Sequence, residues 1–171
     1  NLDPNIPLQT PVGKSGRRAN GSDVFGIDSI NEFDVFLDDI YDYCETLDIG
    51  VDTLVHESGP SQIEINLNHG DPLKLADQTF MFKRAVRQVA LKHGIHATFM
   101  AKPHQGQPGS SMHIHQNLVS IKNGNNIFSD KNGKESEKFY NYIGGLQTYL
   151  PDAMVFFAPY VNSYRRFVID A

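Results

Sequence analysis

Three groups of polar side chains in this sequence have the types and spacing to do chemistry. The first is His56-Glu57, followed by Gln62, Glu64 and Asn66. Two short strands joined by the turn Ser58-Gly-Pro-Ser61 would bring the Glu57 and Glu64 carboxylates close together. Paired carboxylates repel each other unless a cation lies between them. Hard divalent ions such as Mg²⁺ and Mn²⁺ prefer such oxygen donors. The second group is His113-Ile114-His115, whose i, i+2 spacing puts both imidazoles on one face of a strand. The third is Asn162 to Arg166, NSYRR, whose arginines suit a carboxylate or phosphate with two parallel hydrogen bonds. Each group also has an ordinary structural reading: exposed strand carboxylates, hydrogen-bonded histidines, a surface ion pair. Together they suggest a divalent-metal enzyme that acts on an anionic substrate.

Composition narrows the class. The chain has 171 residues and a net charge of −5, so it has no basic excess with which to grip nucleic acid. Its single cysteine, Cys44, excludes an internal disulfide framework and a cysteine-built zinc site, and favours a reducing compartment. The longest apolar run, Ala153 to Ala158, is too short to span a bilayer, and the first residues show no signal-peptide pattern. A cytoplasmic location is expected. The chain lacks an initiator Met and stops directly after an apolar stretch, which reads as a piece of a longer protein.

The elements that must position these groups follow from periodicity. Residues 1–27 are rich in proline and glycine and read as an entry loop. Within it, GKSGRR lacks the earlier glycine of a phosphate loop, since Leu8 stands there, and reads as a solvated basic turn. Apolar residues at spacings of three and four predict a helix over 29–47, with Ser29 and Glu32 as a capping box and Gly50 as its stop. Asp34, Asp38, Asp39 and Asp42 would form its wet face. Strands are expected over 51–56 and 62–67, the second alternating cleanly. A second helix, 73–93, would use Phe80, Val86, Val89 and Ala90 as its apolar side and end at Gly94. Further strands are expected over 97–101 and 111–119, a turn at 123–126, and a helix over 135–154 with a Phe139, Tyr142, Ile143, Leu146, Tyr149 stripe. Strands separated by helices, with no glycine-rich dinucleotide fingerprint, give an α+β class.

Four ordered segments resemble the glutamine synthetase superfamily: HESGPSQIEIN at 56–66, ATFMAKP at 97–103, GSSMHIHQNL at 109–118 and NSYRR at 162–166. The resemblance runs from about residue 28 to the end and is nearest the branch that includes γ-glutamylpolyamine synthetases. It implies a fragment, 28–171, of a catalytic domain built on a curved, largely antiparallel sheet with helices on its outer face. The family's N-terminal β-grasp domain is absent from this chain. It further implies an ATP-dependent ligase that activates glutamate as γ-glutamyl phosphate and transfers it to ammonia.

By position, the resemblance makes Glu57 and Glu64 ligands of one Mg²⁺ or Mn²⁺ ion and His113 a ligand of a second. It places His115 near the nucleotide, Gly109 against the amino acid substrate, and Arg166 on its carboxylate. It also implies a ring-shaped homo-oligomer for the whole protein, and an inactive 171-residue piece. Family members that use ammonia usually show Asn-Gly where this chain has Pro108-Gly109, and Asn117 replaces a common serine. Alternatives are therefore ligation to a larger amine or polyamine, or a non-catalytic relative that binds metal or nucleotide. A two-histidine, one-carboxylate dioxygenase is disfavoured, because the next acidic residue after the histidine pair is Asp130.

Overall fold

The computed structural model describes residues 8–19, 21 and 23–167. They form two compact units, one running to Ser110 and the other spanning Ser111–Phe167. The first holds helices α1 (Ile27–Asn31) and α2 (Asp34–Thr46), strands β1 (Val51–His56) and β2 (Ile63–Leu67), and helix α3 (Pro72–Lys92). The second holds helix α4 (Glu137–Phe157) and a 3-10 helix, Val161–Arg166. The class is α+β.

The expected first helix is two helices. Ser29 does not cap it; its hydroxyl donates to Asp23 instead. The Glu32 carboxylate turns away to accept the Ser15 amide at 3.0 Å, so the capping box does not form. These bonds tie the basic turn at 13–18 to the helices, with Lys14 paired to Asp34 at 2.5 Å. Asp48, at φ 54°, takes the left-handed position after α2 that glycine usually fills, two residues before Gly50. α3 was the most legible element. Asp71 caps it by accepting the Leu73 and Lys74 amides at 3.1 and 3.0 Å, Pro72 opens it, and Gly94 at φ 68° follows it.

The core of this unit packs Leu37, Ile40 and Cys44 of α2 against Phe82, Val86 and Val89 of α3, with Ile49 between. Ile63, Ile65 and Leu67 of β2 lie against it, half-buried. Phe80 is not on the apolar side of α3: it is 71% exposed, and Phe82 and Ala85 point inward in its place. The acidic face of α2 is only partly a solvated one. Asp39 accepts from Lys92 Nζ at 2.9 Å and lies 2.6 Å from His93 Nε2, fastening α2 to the end of α3. Both hydrogen bonds hold its carboxyl below the usual range.

Among the described residues the sheet has two antiparallel strands, β1 and β2, with Leu54 opposite Ile65, Val55 opposite Glu64 and His56 opposite Ile63. The expected strands at 97–101 and 111–119 do not form. An extended segment becomes a strand only when a neighbour accepts its ladder of hydrogen bonds, and no described residue supplies one beyond single contacts. Residues 97–101 are held by side chains: Lys83 and Arg87 of α3 lie over the Phe99 ring at 5.2 and 5.0 Å. In the second unit, the bridge between Val119 and Asn126 closes the expected turn.

α4 begins at Ser136, whose hydroxyl accepts the Phe139 amide at 3.2 Å. Phe128 packs on Phe139 and Tyr142 beside its first turns, at centroid distances of 5.7 and 5.0 Å. No residue of α4 is fully buried, so its predicted stripe is not a closed core in this unit.

Candidate functional site

The β1–β2 hairpin sorts its side chains by parity. Leu54, His56, Ile63 and Ile65 share the core face, while Thr53, Val55, Glu57, Gln62, Glu64 and Asn66 share the other. The Glu57 amide donates to the Gln62 carbonyl at 2.9 Å, so Glu57 stands opposite Gln62 and diagonal to Glu64. Diagonal neighbours on one face are about 7–8 Å apart at Cα, within reach of long side chains. The structure therefore brings Glu57 and Glu64 onto one face, as expected. Neither carboxylate takes part in a salt bridge among the described residues.

The neighbouring polar residues are structural. Asn66 Nδ2 donates to Thr53 Oγ1 at 2.9 Å across the strands, and Gln62 Oε1 accepts the Gly59 amide at 3.0 Å inside the turn. His56 does not join Glu57 on the polar face. It is 1% exposed on the core side, and its Nδ1 has no hydrogen-bond partner among the described residues. Its backbone carbonyl accepts the Phe25 amide at 2.9 Å, which ties the segment before α1 to the end of β1. Phe25 holds φ 61°, a costly conformation for a bulky residue.

Gly109 belongs to the same unit. A Cβ at this position would overlap the Ala101 carbonyl oxygen and sit 3.2 Å from Lys102 Cα. The adjacent Ser110 amide donates to that same oxygen at 2.7 Å. The loop 104–110 thus folds back on 101–102 so closely that only glycine fits. The resemblance points to Gly109, and this steric reason depends on how the loop folds back, which spacing does not encode.

An open cleft of about 460 Å³ lies in this unit too, lined by Gly21, Val24, Ser58, Gln107 and Pro108. Of these residues, Pro108 is the one the sequence marks out, as the residue before Gly109. The position of Ser58 directly after Glu57 was the available signal for a second.

The remaining candidates are in the second unit. His113 and His115 are exposed. Because 111–117 forms no ladder, the one-face argument for the pair loses its basis. Arg166 is half-buried, and its guanidinium donates through Nη2 to the Phe157 carbonyl at 3.0 Å, at the C-terminus of α4. A cation there is favoured by the helix dipole, so the same bond positions the side chain.

Two carboxylates on one sheet face fit a hard divalent cation by donor chemistry. Among the described residues, no group of three or more His, Cys, Asp or Glu could hold a metal ion. No described helix is long and apolar enough to cross a membrane.

Comparison with known proteins adds four findings. The family model for the glutamine synthetase catalytic domain matches residues 2–171. A gamma-glutamylputrescine synthetase of Escherichia coli (strain K12) is 42% identical over 164 residues, covering 94% of this chain and 34% of that protein. A glutamine synthetase of Pyrococcus horikoshii is 40% identical over 130 residues, covering 76% of this chain and 29% of that protein. Among solved structures, ligand-free GmaS superimposes with a TM-score of 0.70 at 29% identity, over 95% of this chain and 36% of that one. The chain spans about a third of the length of the curated relatives it matches.

Proposed function

This chain belongs to the glutamine synthetase catalytic-domain family, and from that premise we propose that the protein carrying it is an ATP-dependent carboxylate–amine ligase. The supporting observation is the hairpin, which presents Glu57 and Glu64 on one face while its other face builds the core.

In this reading the γ-carboxylate of glutamate attacks the terminal phosphorus of ATP, forming γ-glutamyl phosphate and releasing ADP. An amine nitrogen then attacks the acyl carbon. The C–N bond forms, the C–O bond to phosphate breaks, and the nitrogen's proton leaves with the phosphate. The acceptor is ammonia or a larger amine; the Escherichia coli relative that covers 94% of the chain is by name a gamma-glutamylputrescine synthetase.

Glu57 and Glu64 would hold one Mg²⁺ or Mn²⁺ ion and His113 a second, and such ions when bound supply charge neutralisation for the phosphoryl oxygens. Gly109, seated against the Ala101–Lys102 backbone where no side chain fits, would present its own backbone to the amino acid. Arg166, anchored at the end of α4, would orient the substrate carboxylate, and His115 would contact the nucleotide. A homo-oligomeric ring and a cytoplasmic location belong to the same proposal.

The test is phosphate release by the full-length protein with ATP, Mg²⁺, glutamate and an amine, with His113→Ala beside the wild type. Glutamate-dependent release that His113→Ala abolishes is expected. Absence of glutamate-dependent release with every acceptor would remove the ligase reading.

A further inference from the structure

We propose that Gln62 is a positioning residue: its side chain clamps the 58–62 turn so that Glu57 and Glu64 stay set for one divalent cation. This rests on the ligase reading above and adds a residue to the same site.

Hydrogen bonding is the first argument. The Gln62 amide donates to the Gly59 carbonyl at 3.0 Å, and its side-chain Oε1 accepts the Gly59 amide at 3.0 Å. Its own carbonyl accepts the Glu57 amide at 2.9 Å. One residue thus holds both polar groups of Gly59 and the backbone of a proposed metal ligand. The fit has no slack: a Cβ on Gly59 would lie 2.5 Å from Gln62 Oε1 and 3.2 Å from Gln62 Cβ.

Conformation is the second. Ser61, between Gly59 and the second strand, holds φ 52°, a left-handed backbone that a non-glycine residue adopts at a cost. Such a conformation persists only where surrounding contacts impose it, and it concentrates at ligand clamps. The Ser61 hydroxyl bonds only to the adjacent Pro60 carbonyl, at 2.7 Å. The contacts that close the turn around Ser61 are those of Gln62, the next residue.

Electrostatics is the third. Glu57 and Glu64 share the polar face of the hairpin, and without a cation between them their like charges push the strand ends apart. Gln62 stands on that face, opposite Glu57 and two residues before Glu64. Its bonds resist the push where it acts, and its neutral amide adds no third charge. Groups that hold metal ligands in place from behind carry about 10–100-fold in metal affinity.

The experiment measures Mn²⁺ binding to the metal-free full-length protein, without nucleotide or glutamate, by electron paramagnetic resonance of the free ion. Glu64→Gln identifies the site to follow, as the one it removes. Gln62→Met, of similar length but without the amide oxygen, should weaken that site about 10–100-fold. Gln62→Glu keeps an oxygen for the Gly59 amide and should bind at least as tightly as wild type. If Gln62→Met does not fold, Gly59→Ala displaces the same oxygen from the other side and should show the same loss. A Gln62→Met protein with a lower melting temperature but wild-type Mn²⁺ affinity would overturn this inference and leave the ligase reading intact. A loss in Gln62→Glu as large as in Gln62→Met would also overturn it, since the retained oxygen would then count for nothing. A wild-type protein that binds no Mn²⁺ would remove the metal roles of Glu57 and Glu64 together with it.

Discussion

Replacing Gly109 by alanine tests the tightest backbone approach near the proposed site. The added Cβ would overlap the Ala101 carbonyl oxygen and press on Lys102 Cα at 3.2 Å. Both obstacles are backbone or sit directly on it, so no side-chain rotation relieves the overlap. Overpacking of this kind costs about 1–3 kcal/mol. If the loop moves away instead, the 2.7 Å bond from the Ser110 amide to the same oxygen is lost, worth about 0.5–1.5 kcal/mol net. Either route displaces the 108–110 backbone, and a misplacement of about 1 Å in a positioning element costs about 10²-fold in rate. We expect kcat/KM for glutamate to fall by about two orders of magnitude in the full-length Gly109→Ala enzyme, with a modest loss of stability.

The control is Gly145→Ala in α4, where a Cβ meets nothing within 4 Å. Replacing a helical glycine there should stabilise by about 0.5–1 kcal/mol. The assays are steady-state kinetics against glutamate and thermal unfolding of each variant. A Gly109→Ala enzyme with wild-type kinetics for glutamate would show that this backbone segment does not carry the substrate.

Other expectations follow from the same geometry. Ile40→Ala, at 2% exposure in the α2–α3 core, should cost about 2–5 kcal/mol in denaturant unfolding. Asp48→Gly should raise stability by up to about 1 kcal/mol, because it relieves a left-handed backbone at φ 54°; a lower unfolding midpoint would contradict that. Asp39 is held below its ordinary value of 3.8 by bonds from Lys92 and His93, so its contribution is full above that value and fades as pH falls through the depressed one. Asp39→Asn should therefore be less stable than wild type at pH 5–7, and the two should converge in acid titration. Burial raises the Cys44 thiol above its usual range, so a disulfide reagent should label it only as fast as the chain opens.

What could be read from the sequence had local causes. The ends of α3 were expected within one residue because a long 3.6-residue period is punctuated by Gly94. The hairpin was legible because Gln62 to Leu67 alternates; the register that sets Glu57 opposite Gln62 then puts Glu57 and Glu64 on one face. The misses came from partners distant in sequence. Residues 97–101 and 111–119 have strand-like composition, but no described neighbour accepts their ladders. Phe80 is a different miss: Phe82 lies four residues before Val86 and seven before Val89, whereas Phe80 shares its helix face with Lys83, Arg84 and Arg87, so the helical period itself favours Phe82. Glu32 left its expected capping role because Ser15, 17 residues earlier, offers it an amide. The seating of Gly109 against Ala101 depends on how a loop folds back, which no spacing rule encodes.

The parity of the hairpin has a consequence for how the gene can vary. One pairing decides both which residues seal the core and which face outward with their carboxylates. Slipping it by a single residue would turn Ile63 and Ile65 out and drive Glu64 inward, exchanging the two roles at once. Length changes in the 58–62 turn should survive only when the loop absorbs them with the register intact. Here selection for a stable chain and selection for an active one would discard the same insertions.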